Sequence, residues 1–213
     1  MSYSVKEIYF TLHGEGVHAG SAAVFLRFTG CNLWTGLEED RATAECSFCD
    51  TNFVGTDGPG GGKFATAGEL AAAVERCWQA MSDDDRNRRV VCTGGEPLLQ
   101  LDAQLIDSLH AAGFLVAVET NGTRAVPPGV DWICVSPKAQ VPLVQTCGQE
   151  LKLVYPQPGA DPSQFEQLQF EHFCLQPMAG PQYEQNVKAA VAYCMAHPRW
   201  HLSLQLHKML GIP

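Results

Sequence analysis

The sequence predicts an α/β fold, a parallel sheet covered by helices and curved into a partial, incomplete TIM-like βα barrel. Three observations predict it. Near-continuous runs of Val, Ile and Leu, such as RVVC and LVAV, recur along the chain, which is the composition of strands covered on both faces. Segments with an apolar residue every third or fourth position lie between several of these runs, and that is the period of a helix. A small or polar cluster follows each run: FTGC, TGGEP, ETNG, SPK, QPM and QLHK. Sites in parallel α/β folds form at the carboxyl ends of the strands, so these clusters would meet at one cavity. Taken singly, each cluster is ordinary turn chemistry; together they describe an enzyme mouth.

The elements follow in order. AAVFLRF, ahead of a group of cysteines, reads as a strand. GTDGPGGGK, Gly55 to Lys63, reads as a flexible loop. It is not a phosphate-binding loop, because Asp57 stands where glycine is needed and Phe64 where Ser or Thr is needed. TAGELAAAVERCWQAM is a helix opened by a Thr66/Glu69 capping box, with Leu70, Val74 and Cys77 or Trp78 on one face. RVVCTGG is a buried strand, LDAQLIDSLHAAG a helix ending on Gly113, and LVAVETNG the next strand. WICVSPK, ELKLVYP, HFCLQPM and HLSLQLHK continue as strands, with the helix YEQNVKAAVAYCMAHP before the last. About seven strands and fewer helices fall short of a complete eight-fold barrel of roughly 250 residues.

Composition narrows the function. The 213 residues are 46% hydrophobic with no apolar run of membrane-spanning length, enough for one core and one domain over residues 1–213. The net charge is −9 and no Lys/Arg run occurs, which disfavours nucleic acid or a membrane surface as partner and favours a small molecule. MSYSVKEIYF has neither the basic nor the apolar region of a secretory signal, so a cytoplasmic location is expected, with the nine cysteines as thiols.

Three of those cysteines, Cys31, Cys46 and Cys49, are separated by fourteen residues and then by two. Three thiolates can hold zinc with a histidine, or an iron–sulfur cluster with one iron left open. No second tight ligand pair accompanies them. Cys77, Cys92, Cys134, Cys174 and Cys194 lie inside apolar segments, where cysteine acts as a small hydrophobe, and Cys147 is read as structural as well.

With Phe48 before the last cysteine and TGGEP at Thr93 to Pro97, the trio resembles the radical S-adenosylmethionine enzymes, though with a longer first spacer than their common Cys-x3-Cys-x2-Cys. TLHGEG, FLRFTGCNLW, CSFCDT, CTGGEP, ETNG, CVSPK, QPM and the terminal QLHKMLGIP together resemble the 7-carboxy-7-deazaguanine synthase family, in its subgroup with the long spacer. The resemblance runs from about Glu7 to Pro213. It implies a partial barrel of the radical S-adenosylmethionine type, with the cluster loop enlarged by an insertion at about 32–45.

The resemblance also implies the chemistry. Cys31, Cys46 and Cys49 hold a 4Fe–4S cluster whose open iron binds S-adenosylmethionine, and electron transfer into the sulfonium gives methionine and a 5′-deoxyadenosyl radical. Gly94 and Gly95 offer backbone, and Glu96 an acceptor, to the methionine amino group. Glu119 and Asn121 address the ribose. Phe48, Asp50, Ser136, Pro137, Lys138, Gln176, Pro177, Met178 and Ala179 complete the cofactor pocket. Relatives often read QPMD where this chain has Ala179, so a side-chain contact is lost there.

The implied substrate is 6-carboxy-5,6,7,8-tetrahydropterin. The radical removes a ring hydrogen, the pyrazine ring contracts with loss of ammonia to 7-carboxy-7-deazaguanine, and S-adenosylmethionine is regenerated, a step toward queuosine and other 7-deazapurines. Arg27 grips the carboxylate in a bidentate fork. Leu12, His13, Gly14 and Glu15 meet the pterin amide edge, with His13 where many relatives carry Gln. Thr93, His207 and Pro213 close the pocket, and Thr51, beside Asp50, holds Mg2+. A flavodoxin- or ferredoxin-type electron donor and a homodimer are implied too. Two other readings use the same cysteines: an activase that makes a glycyl radical on a partner, and a zinc-binding module completed by His13, His18 or Cys147.

Overall fold

Seven strands run parallel in chain order, at the positions the apolar runs predict. The structure is a computed structural model that describes residues 2–213. Its strands are β1 (Tyr3–Leu12), β2 (Ala22–Phe28), β3 (Gly62–Phe64), β4 (Arg89–Gly94) and β5 (Leu115–Thr120). They continue with β6 (Trp132–Val135), β7 (Cys147–Tyr155), β8 (Gln169–Pro177) and β9 (Trp200–Leu202). They form one nine-stranded sheet, open at both ends, in the order β3-β1-β2-β4-β5-β6-β7-β8-β9. This is the partial barrel that the strand count predicts.

Two strands correct the expectation of a wholly parallel sheet. β1 pairs antiparallel with both β2 and β3. The apolar pattern of β1 is broken by Lys6 and Glu7, where the register slips between Val5 and Glu7; a bulge of this kind moves later side chains to the other face and hides a two-residue period. β3 lies within the glycine-rich stretch read as a loop and is only three residues long.

The helices are α1 (Ala67–Gln79), α2 (Ala103–Ala111), α3 (Tyr183–Ala196) and the short α4 (Leu206–Leu210). The Thr66 side chain accepts from Glu69 N as predicted, but the Glu69 carboxylate accepts from Ala65 N, one residue ahead of the usual capping-box partner. Leu70, Val74 and Trp78 form the buried face, so Trp78 and not Cys77 completes it. QLHK, expected to end a strand, opens α4 instead.

Alternation along the strands separates core from site. Val90, Cys92, Val116 and Val118 turn outward into the core shared with α1 and α2, whereas Thr93 and Glu119 line the barrel interior. A second core joins β7, β8 and β9 to α3 around Leu153, Phe173 and Trp200, and Ile133 packs against both cores. Inside, register sets Arg27 beside Thr93, Glu119 beside Cys134, and Lys152 beside Cys174.

Asp102 ties the sheet edge to α2. It accepts from Leu105 N at 3.0 Å as the helix cap and from the Tyr3 hydroxyl of β1 at 2.8 Å, and Tyr3 is only 1% exposed. Asp102→Ala removes the cap and leaves a buried hydroxyl unpaired, and should cost about 2–4 kcal/mol in urea unfolding. Added to Tyr3→Phe, the same change should cost less than it does alone; strictly additive losses would show that the two groups do not interact.

Candidate active site

A cavity of about 420 Å³ opens at the carboxyl ends of the parallel strands, and every one of the six predicted clusters contributes to its wall. That volume suits a small molecule. The thiols form one side. Cys31 follows β2, where the end of β4 holds the turn: Gly95 N donates to Phe28 O at 3.4 Å and Glu96 N to Gly30 O at 2.9 Å. A Cβ on Gly95 would lie 2.2 Å from Gly30 O and 2.8 Å from Cys31 Cβ, so glycine alone lets these backbones meet.

Cys46 and Cys49 come from the far side of the long spacer, which carries a 3-10 turn at Glu38–Thr43. Arg41 of that turn lies over the Trp34 ring at 4.1 Å and donates through Nη1 to Ser47 O and Cys49 O at 2.8 and 2.9 Å. A hydrogen bond from the Cys46 thiol draws the Cys49 thiol down to about 6, which makes a thiolate available near neutral pH. Burial pushes the Cys31 thiol up. Lys138 acts on this pair from beyond β6, with Nζ anchored on Ser136 O and Oγ at 2.8 Å and standing 5.9 Å from the centre of the Phe48 ring. Among the described residues no three His, Cys, Asp or Glu side chains are gathered around a single-ion position. Three thiols open to the cavity, one of them readily ionised, and a glycine backbone cradling the first suit a cluster with one open iron.

The opposite side carries charge. Arg27 enters from β2 with Nε on Glu7 Oε1 at 2.8 Å and Nη2 on the Tyr9 hydroxyl at 2.7 Å. Its Nη1 takes no partner among the described residues and remains as a donor for an acid. His13 Nδ1 accepts from Glu15 N at 3.2 Å, so the ring proton sits on Nε2, which faces Glu119 Oε1 at 3.4 Å. Leu12 and Gly14 complete this loop, and the C-terminal segment closes on it. Leu206 N donates to Gly14 O at 2.8 Å, and a Cβ on Gly14 would lie 2.1 Å from His207 Nδ1. Lys208 Nζ meets Asp50 at 2.6 Å, and the Thr11 hydroxyl donates to Pro213 O at 3.0 Å.

Phe48, Asp50, Thr51, Thr93, Gly94, Asn121, Ser136, Gln176, Pro177, Met178 and Ala179 also line the cavity. Two predicted site residues do not. Glu96 is fully buried beneath the mouth, where its carboxylate accepts from Leu98 N, the Thr120 hydroxyl and Asn121 N, and Pro137 is buried between Ser136 and Lys138. Sequence reasoning missed Glu7, Tyr9, Lys152, Gln205 and Lys208, all of which line the cavity. Lys152 was findable as a charge inside the apolar run LKLVY, while Glu7 and Tyr9 were hidden with β1.

The fold and this wall of thiols and charge define a partial-barrel enzyme with its site at the strand ends, acting on a small molecule. Three relatives, each named 7-carboxy-7-deazaguanine synthase, align over the whole of both chains: from Caulobacter vibrioides at 65% identity, Bordetella pertussis at 61% and Burkholderia multivorans at 57%. A solved structure titled as QueE from Escherichia coli superposes with TM-score 0.68 at 25% identity, covering 97% of this chain and 95% of that one. No family model matches. The chain belongs to the 7-carboxy-7-deazaguanine synthase family.

Two outcomes are expected at the thiol wall. Cys46→Ala should lose most of the iron bound after anaerobic reconstitution, and Cys194→Ser, on α3, should lose none. In the metal-free protein, Arg41→Ala should speed amide exchange over residues 46–51 by roughly tenfold, with exchange elsewhere unchanged. Arg41→Lys should recover only part of that protection, since it lacks the planar fork.

Proposed function

We propose that this chain is a radical S-adenosylmethionine lyase that contracts the pyrazine ring of 6-carboxy-5,6,7,8-tetrahydropterin to 7-carboxy-7-deazaguanine with loss of ammonia, in the route to queuosine and other 7-deazapurines. The observation that carries the reading is that a single cavity is lined by Cys31, Cys46 and Cys49 and also by Arg27. A glycyl-radical activase would need a surface for a protein partner, and an enclosed carboxylate clamp offers none. The name printed for the relatives supports the same product.

A bound 4Fe–4S cluster would supply the electron that turns S-adenosylmethionine into a hydrogen-abstracting radical. The residues of this chain then divide the work. Cys31, Cys46 and Cys49 provide the thiolates, and Arg41 braces the loop that carries the last two. Gly94 and Gly95 leave room and carbonyl oxygen for an amino group, and Asn121, Ser136, Lys138 and Gln176 to Ala179 surround the rest of the cofactor. Glu119 stands where the two halves meet, addressing the ribose with Asn121 and facing His13 of the substrate loop. Arg27, held in plane by Glu7 and Tyr9, orients a carboxylate, and the segment from Gln205 to Pro213 keeps water from the ring. Glu96 contributes from below, by fixing the turn that presents Gly94, Gly95 and Asn121.

The Thr51 hydroxyl, with waters and the substrate carboxylate, would hold Mg2+, a hard cation that keeps much of its hydration. The same reading includes one core domain with the spacer at 32–45 as an insertion, an external electron donor of flavodoxin or ferredoxin type, a homodimer and a cytoplasmic location. No helix among the described residues is long and apolar enough to cross a membrane.

The test is anaerobic turnover of the carboxylated pterin with Mg2+ present, with deoxyadenosine and 7-carboxy-7-deazaguanine quantified side by side. Arg27→Lys keeps the charge and loses the fork, so product formation should fall on the order of a hundredfold through misplacement of the ring. Uncoupled deoxyadenosine formation should persist. Wild-type turnover by Arg27→Lys would remove Arg27 as the carboxylate clamp.

A further inference from the structure

Lys152 lies in the middle of β7 with its side chain 6% exposed. Its Nζ reaches Glu15 Oε2 at 2.7 Å and Glu119 Oε1 at 2.8 Å. The two carboxylates come from separate parts of the chain, one from the loop after β1 and one from the end of β5, and both line the cavity. Each has an outside support: Gln205 Nε2 donates to Glu15 Oε1 at 2.9 Å, and His13 Nε2 faces the same Glu119 oxygen as Lys152. Glu119 Oε2 takes no partner among the described residues.

We infer that Lys152 is a positioning residue for the ring: it holds Glu15 and Glu119 as a pair of ionised acceptors aimed at the N–H groups of the substrate. The inference rests on the proposed function, since a tetrahydropterin is rich in N–H donors. An ionised carboxylate only accepts hydrogen bonds, whereas a protonated one carries a donor that would clash with an N–H. Two carboxylates within reach of one ammonium and away from bulk water cannot both stay charged without it, because burial and like charge each favour uptake of a proton.

Besides the two carboxylates, Lys138 after β6 and His207 of α4 also feel the charge of Lys152, and His207 feels that of Glu15 as well. Glu15 and Glu119 approach from the β1–β2 loop and β5, with His13 behind Glu119. Cys134 faces it from β6, Cys174 from β8, and Glu150 from two residues earlier on its own strand. The Cys134 thiol is pushed up by burial and stays neutral. Glu150 is a third buried carboxylate near the ammonium, 3% exposed, with Oε2 accepting from Val17 N at 3.3 Å and Oε1 without a partner among the described residues. Burial would raise Glu119, but Lys152 and His13 outweigh it and hold the carboxyl well below its usual range. Burial likewise opposes the charge on Lys152, and Glu119 and Glu15 more than restore it.

The sign of the pH effect follows. In the wild type Lys152 and His13 hold Glu119 ionised across the neutral range, beside the second carboxylate, Glu15. In Lys152→Met at least one takes up a proton, and the acid limb of the kcat/KM profile should move to higher pH by about one unit or more, with KM for the carboxylated pterin up by roughly tenfold.

The compensating variant is Lys152→Met/Glu15→Gln, which removes one negative charge along with the positive one. Its acid limb should return toward the wild-type position even though KM stays high, an outcome that loss of packing alone would not give. Thermal melts establish folding for each variant. If wild type fails to turn over the carboxylated pterin, the functional reading falls. If wild type turns over and Lys152→Met keeps its acid limb and KM, only the role of Lys152 falls. It falls equally if the double variant is as shifted as the single one, or if neither variant folds.

Discussion

Glu96 lies fully buried where β2, β4 and β5 end, and its carboxylate gathers the Thr120 hydroxyl, Asn121 N and Leu98 N while its own N–H is given to Gly30 O. Burial pushes the Glu96 carboxyl up, and a carboxyl so placed is tolerated only when its oxygens find partners; filling them here fixes three strand ends relative to one another. The Cys31 turn, the TGG backbone and the start of the ETNG turn all hang from this point. Without it the sheet could still form, because the strands have their own ladders and cores, but the loops that carry the chemistry would lose their common reference.

The acidic surface and the basic interior are two sides of one arrangement. The chain carries a net charge of −9 with fourteen Lys and Arg, yet Lys6, Arg27, Lys138, Lys152 and Lys208 all reach the one cavity. Most of these cations are already paired with Glu7, Glu15, Glu119, Asp50 or Asp57, so the cavity is a lattice of fixed charges and not a bare positive well. Such a lattice reorganises little when a zwitterionic cofactor and an anionic substrate enter, and preorganised charge is the larger part of what an active site contributes.

How much of this was legible depended on how local the cause was. The seven parallel strands and three main helices follow from apolar period and capping, which act over a few residues, and the polar clusters at the strand ends could be read as one mouth because topology places all such ends together. β1 was lost because a bulge breaks its period, and α4 because five residues leave too short a pattern to outweigh the apolar run before it. The supports around the predicted residues were lost for a different reason. Tyr9 and Glu7 beneath Arg27, and Lys208 against Asp50, are contacts between segments distant in sequence, and no spacing rule reports them. Lys152 was an intermediate case: a charge in an apolar strand needs buried partners, but which ones only the fold reveals.

The tautomer of His13 explains how this position tolerates change. Its Nδ1 receives the Glu15 N–H and its Nε2 offers a hydrogen toward Glu119, so the ring presents one acceptor and one donor, about two bonds apart, on a planar group. A primary carboxamide presents the same pair, with its oxygen in place of Nδ1 and its NH2 in place of Nε2. Histidine and glutamine are interchangeable here as relays of hydrogen-bond polarity. The loop keeps its shape under either residue.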